Sequence, residues 1–165
     1  MKNSIYLLSL LLPSLVCAGG NPDMVDFPAD YKDNFTLYSV QNRGNNKQLA
    51  YMYANDIALN SIKDGKAANG SVIVMEVHKA LFNADGKPVT GADGLFKTTG
   101  LAAIAVMEKR DWDMAYPAAD RAGDWGFAFY NGQGQAKEND LNCITCHRPL
   151  AGMDYLFTYS RLIQF

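Results

Sequence analysis

The chain has 165 residues, with 15 basic against 17 acidic side chains and a hydrophobic fraction of 48%. A balance this close to neutral, without any basic run, offers no electrostatic footprint for nucleic acid or an anionic membrane surface. The apolar content is ample for one packed core, and with no hydrophobic span after the first residues, no membrane span is expected in the mature protein.

Residues 1–18 have the three-part look of a signal peptide. Lys2 gives a positive start, Ile5 to Val16 an apolar stretch broken by Pro13, and Val16-Cys17-Ala18 a small-residue cleavage site. Val16 is too bulky for the residue expected before a lipidated cysteine, so cleavage is expected after Ala18. That predicts an exported, periplasmic protein whose residues 19–165, roughly 147 of them, form one ordinary domain.

Along that domain, Tyr31 to Val40 suits a helical turn running into a strand, and the Asn- and Gly-rich stretch Gln41 to Lys47 a loop. Gln48 to Tyr53 alternates as a strand does, with Leu49, Tyr51 and Tyr53 on one face. Asn55 can cap a helix reaching Lys66, with Ile57, Leu59 and Ile62 as its apolar stripe and Gly65 as its end. The β-branched run Val72-Ile73-Val74 marks Ser71 to Ala80 as the clearest strand. Asp85-Gly86 and Asp93-Gly94 are turn signals flanked by possible hairpin arms. Gly100 to Glu108 reads as a strand or buried element, Trp125 to Tyr130 as a further strand, and Gly132 to Lys137 as a loop. Asn139 or Asp140 can cap a short helix over the segment that follows, and Tyr155 to Leu162 is apolar enough to return to the core. This order fits one α+β domain, an antiparallel β-sheet with flanking helices.

That late helix carries Cys143-Ile144-Thr145-Cys146-His147. With Cys17 in the signal, the mature chain keeps only the two thiols of this run. The pattern is that of covalent haem attachment: each thiol adds to one porphyrin vinyl group, and His147 becomes the proximal iron ligand. Other uses of such a pair fit less well. A structural zinc site wants two further ligands, and only His78 and His147 are on offer. A thioredoxin-like pair belongs after a strand near the start of a chain, and a disulfide here would close a very small loop. One haem c on a C-terminal CxxCH segment is therefore expected. A simple Met-ligated electron carrier is a poorer match, because little chain follows the motif and Met153 is too near it to reach the far face.

A late motif behind a mostly β domain resembles the cytochrome P-460 family, which includes the cytochromes c-prime-beta. The resemblance runs through Phe27-Pro28-Ala29-Asp30-Tyr31, Gly70-Ser71-Val72-Ile73-Val74-Met75-Glu76, Gly123-Asp124-Trp125 and Asp154-Tyr155-Leu156-Phe157-Thr158. It implies an antiparallel sheet with flanking helices, usually in a homodimer, and either hydroxylamine oxidation or nitric oxide binding at a five-coordinate iron. Members that oxidise hydroxylamine link a lysine to the porphyrin, and that position falls here on Met75, whose thioether cannot make the bond. By the same ungapped alignment the family's distal arginine falls on Leu49, and an acidic residue used in proton transfer on Ala102.

These departures imply an apolar distal side crowded by Met75, Leu49 and Phe96, suited to nitric oxide or a similar small diatomic. Each residue keeps a plainer reading. Met75 is strand core, distal wall or sixth ligand; Phe96 is hairpin core or haem cap; Lys79 is a displaced cross-link or a solvent-seeking strand end. Arg148 is a candidate for a haem propionate, and Trp125, Tyr155 and Phe157 read most simply as core aromatics. Glu76 and His78 should point away from Met75. The expected partners are a gaseous or nitrogen-oxide ligand and a redox partner; the alternatives are a hydroxylamine or nitric oxide oxidoreductase and a Met-ligated carrier.

Overall fold

The β-branched run at Val72 sits at the centre of a five-stranded sheet in which every neighbouring pair is antiparallel. A computed structural model describes residues 20–45, 47–139 and 141–165. The predicted signal over residues 1–18, its cleavage point after Ala18 and the candidate cap Asp140 lie outside the described residues.

The strands follow one another in chain order: β1 (Thr36–Asn42), β2 (Gln48–Ala54), β3 (Val72–Ala80), β4 (Thr98–Lys109) and β5 (Trp125–Tyr130). Helix α1 (Tyr31–Asn34) precedes the sheet, and α2 (Asp56–Ser61) lies between β2 and β3. Asn55 caps α2, its Oδ1 accepting from Ala58 N at 3.0 Å. The helix buries Ala58 and Leu59, and a following 3₁₀ turn buries Ile62, whereas Ile57 of the expected stripe is exposed. Both Asp-Gly turns form between β3 and β4, closing bridges Phe82–Pro88 and Thr90–Phe96. The motif helix α3 (Cys143–His147), a 3₁₀ segment Arg148–Met153 and α4 (Tyr159–Leu162) complete the chain.

Because side chains alternate across a strand, the sheet separates two cores. Ala50, Met52, Ala54, Ile73, Met107 and Phe127 form the front core, closed by α2 and by Leu156 and Leu162 of the tail. On the back, Val74, Ile104, Val106, Ala128 and Tyr130 pack under Val25 and Tyr31 of the N-terminal segment. Glu76 and His78 share this back side with Val74. Buried Glu76 accepts from Tyr31 Oη at 2.5 Å, Lys32 Nζ at 2.8 Å and His78 Nε2 at 2.8 Å. Among the described residues no helix is long and apolar enough to cross a membrane.

Candidate functional site

Helix α3 starts at Asn142, not at the predicted Asn139: Asn142 Oδ1 accepts from Thr145 N at 2.9 Å. Asn139 instead closes a tight turn by accepting from Leu141 N at 3.0 Å. Helical spacing places Cys143 and Cys146 on one side of α3 with His147 beside them. All three line one cavity of about 600 Å³ on the front of the sheet, within the usual range for a ligand site, about 300–1,000 Å³.

The cavity's sheet wall is apolar. Met52 and Met75 are directly paired across β2 and β3, and Ala105 pairs with Met75 from β4. Met107, Phe127 and Phe129 extend this wall, and Leu156, Phe157 and Thr158 of the tail complete the enclosure. Polar groups gather at the end of β1, where Gln41, Asn42 and Arg43 line the rim. Arg43 donates to Gln48 Oε1 at 3.2 Å, and burial lowers its guanidinium pKa from the ordinary value. Among the described residues no carboxylate lines the cavity.

His147 is held on three sides. Its Nδ1 lies 2.7 Å from the Tyr155 carbonyl oxygen. A carbonyl only accepts, so Nδ1 carries the proton, and in the neutral ring Nε2 keeps the lone pair a metal needs. Burial pushes the imidazole below its ordinary pKa, against a smaller upward push from the Tyr155 hydrogen bond, which favours that neutral form. Phe127 and Phe157 pack on the ring with centroids at 4.9 and 5.0 Å. The Cys143 thiol, half-buried, is pushed up by burial first and by Cys146 in addition, with a backbone hydrogen bond opposing. Two thiols and one oriented imidazole on the same apolar cavity fit a c-type haem: the thiols would carry the thioether links and His147 Nε2 the iron.

Other expected pocket residues sit elsewhere. Leu49 is on the back of the sheet, 2% exposed and paired with His78, because the front of β2 is formed by Ala50, Met52 and Ala54. Phe96 is half-buried in the second hairpin and meets the site only through its N–H, donated to Asn42 Oδ1 at 2.8 Å. Arg148 turns to the backbone, Nη2 donating to the carbonyls of Ala118 and Ala119 at 3.0 and 2.6 Å, and it does not line the cavity. Lys79 is exposed at the end of β3 and lines no part of the cavity. Ala102 is the extra residue of a β4 bulge, away from the cavity. Trp125 is fully buried core, but Phe157 is 62% exposed and serves as a wall against His147.

Sequence reasoning passed over Met52, Met107, Arg43 and Asp154. The two methionines were available from alternation, since both share the front with Met75 once β2 and β4 are registered on β3. Asp154 and Tyr155 are the described non-glycine residues with positive φ, 46° and 62°; Asp tolerates this region better than most residues, whereas the aromatic Tyr155 gives no such signal. The left-handed pair turns the Tyr155 carbonyl back to His147, and Gly123 leaves room for the Tyr155 ring, which a side chain there would strike.

No curated protein matches this chain. The cytochrome P460 family model matches residues 28–158, from the segment before α1 to the tail that carries Leu156 and Thr158. The chain belongs to the cytochrome P460 family, a family of c-type haem proteins.

Proposed function

We propose that this is an exported mono-haem cytochrome c that binds nitric oxide, or a similar neutral diatomic, at an open iron site facing an apolar wall. A haem in the cavity supplies a ferrous iron able to take one such ligand. The protein's own share is to anchor and to exclude. Cys143 and Cys146 fix the macrocycle covalently, and His147 presents Nε2 with its tautomer set by the Tyr155 carbonyl. Met52, Met75 and Ala105 keep water off the sheet side without offering a hydrogen-bond donor.

The observation that carries this reading is Met75 in the apolar cavity wall, a residue that the resemblance aligns with the lysine of cross-linking members. Hydroxylamine oxidation releases several protons and calls for a positioned base, whereas the described cavity has no carboxylate lining. Hydroxylamine turnover with a dye acceptor, run beside an intact-mass measurement, tests the proposal. The expected result is no turnover and a mass increase of one haem through two thioethers. Sustained turnover, or a further bond from side chain to porphyrin, would replace it with the oxidoreductase reading.

A Met-ligated electron carrier is the second reading, favoured by three thioethers, Met52, Met75 and Met107, on one wall. A methionine-sulfur charge-transfer band that disappears in Met75→Leu would establish it. Export after cleavage at Ala18, a homodimer and a redox partner belong to the same proposal. N-terminal sequencing of the exported protein and its mass in solution test the first two.

A further inference from the structure

The buried ion pair Lys109–Asp154 stands outside the lining of the cavity. Lys109, at the end of β4, and Asp154 are 6% and 4% exposed and joined at 2.7 and 3.0 Å. Asp154 Oδ2 also accepts from Ala67 N at 2.9 Å, and the Lys109 ammonium lies 5.6 Å from the Trp125 ring centroid. One carboxylate thereby ties the tail to β4 and to the segment after α2. Its own backbone is the first of the two left-handed residues, and the second, Tyr155, donates its N–H to Leu150 O at 2.9 Å while its carbonyl accepts from His147 Nδ1 at 2.7 Å.

We propose that Lys109 and Asp154 are positioning residues for the proximal ligand: their ion pair holds the Asp154–Tyr155 turn so that the Tyr155 carbonyl is a short, fixed acceptor for His147. The inference deepens the haem reading and rests on His147 being the iron ligand. A well-aligned acceptor on Nδ1–H makes the imidazole more basic and strengthens its bond to iron. An acceptor free to drift weakens that bond and favours the ferrous state. A pair serving only to hold the tail in place would affect unfolding and leave the imidazole's donor strength alone.

The deciding variant is the double substitution Lys109→Met with Asp154→Asn in the holoprotein. Removing both charges leaves no uncompensated ion in the core, and Asn is among the few residues that visit the left-handed region readily. Resonance Raman spectroscopy of the ferrous protein reads the iron–histidine stretch, and a redox titration reads the ferrous-to-ferric ratio. The expected result is a lower stretching frequency and a ratio at fixed potential raised about tenfold, the lower end of what such outer partners contribute. Asp154→Asn alone should move both readouts the same way, and Lys109→Arg, which keeps a cation beside Asp154, should retain most of the wild-type stretch. Unchanged stretch and ratio in a folded double variant, with only the melting temperature altered, would overturn the proposal. Should the double variant not fold, Asp154→Asn decides by the same two readouts. A wild-type protein without an iron–histidine band would fail at the underlying haem reading, which the unmodified protein reveals before any variant is made.

Discussion

On the back of the sheet, Val74, Ile104 and Tyr130 are sealed beneath the N-terminal segment, and the buried carboxylate there, Glu76, takes three hydrogen bonds from side chains around it. On the front, Met52, Met75 and Ala105 come from the same sheet yet line an open cavity together with two thiols and an imidazole. Apolar residues alone therefore do not say which face is core and which is site. On the back the buried carboxylate is matched to partners, as interiors require of buried charge. The front cavity carries polar groups around the end of β1 and on α3, and the buried Lys109–Asp154 pair stands outside its lining. Both faces of the sheet carry packed core, but only the front opens into a cavity.

Substitutions can break this division, the largest effect first. Replacing Cys143 and Cys146 together by Ser should abolish covalent haem, read as loss of the haem mass after denaturation. Retention of that mass would remove the site. Leu49→Ala should cost about 3 kcal/mol, as large-to-small changes at buried positions do, with the visible spectrum unchanged. A spectral change there would return Leu49 to the pocket.

Glu76→Gln should cost about 2 kcal/mol by weakening three charge-assisted or hydroxyl hydrogen bonds at a buried acceptor. Burial by itself would raise the Glu76 pKa, but the hydrogen bonds from Lys32, Tyr31 and His78 outweigh it and hold the carboxyl below its ordinary value of 4.5. A carboxyl depressed in the folded state contributes stability that is present above its unfolded pKa and lost as pH falls through the folded one. Urea melts from pH 6 downward to about pH 3 should therefore show a falling contribution in the wild type that is missing in Glu76→Gln. A parallel pH dependence in both proteins would contradict the assignment. Smallest is Asn142→Ala, expected to cost about 1 kcal/mol through loss of the α3 cap. Differential scanning of the holoprotein measures it.

Much of the scaffold was legible. β5 occupies the predicted Trp125 to Tyr130, and β3 follows the β-branched run, because strand-favouring residues and flanking Gly punctuate both. The choice of face was not legible. Leu49, Tyr51 and Tyr53 are as apolar as Ala50, Met52 and Ala54, so period-two alternation finds the strand without saying which side meets the cavity. An ungapped alignment then carried Leu49 to the wrong side of β2, one residue from the front face. Arg43 escaped notice because it belongs to a loop stretch read only for its turn residues. Asp154 escaped because its role lies in a left-handed backbone and a contact with Lys109, 45 residues away. The motif itself needed no tertiary information: Cys143, Cys146 and His147 carry their geometry in helical spacing.

The absorption spectrum of the reduced holoprotein, before and after nitric oxide, tests the account most directly. If, as proposed, His147 is the sole strong ligand and the open site faces the apolar wall, the reduced protein should give an ordinary high-spin c-type spectrum that converts fully on adding stoichiometric nitric oxide. A sharp low-spin spectrum indifferent to nitric oxide, or a strongly red-shifted band in the unliganded state, would contradict it.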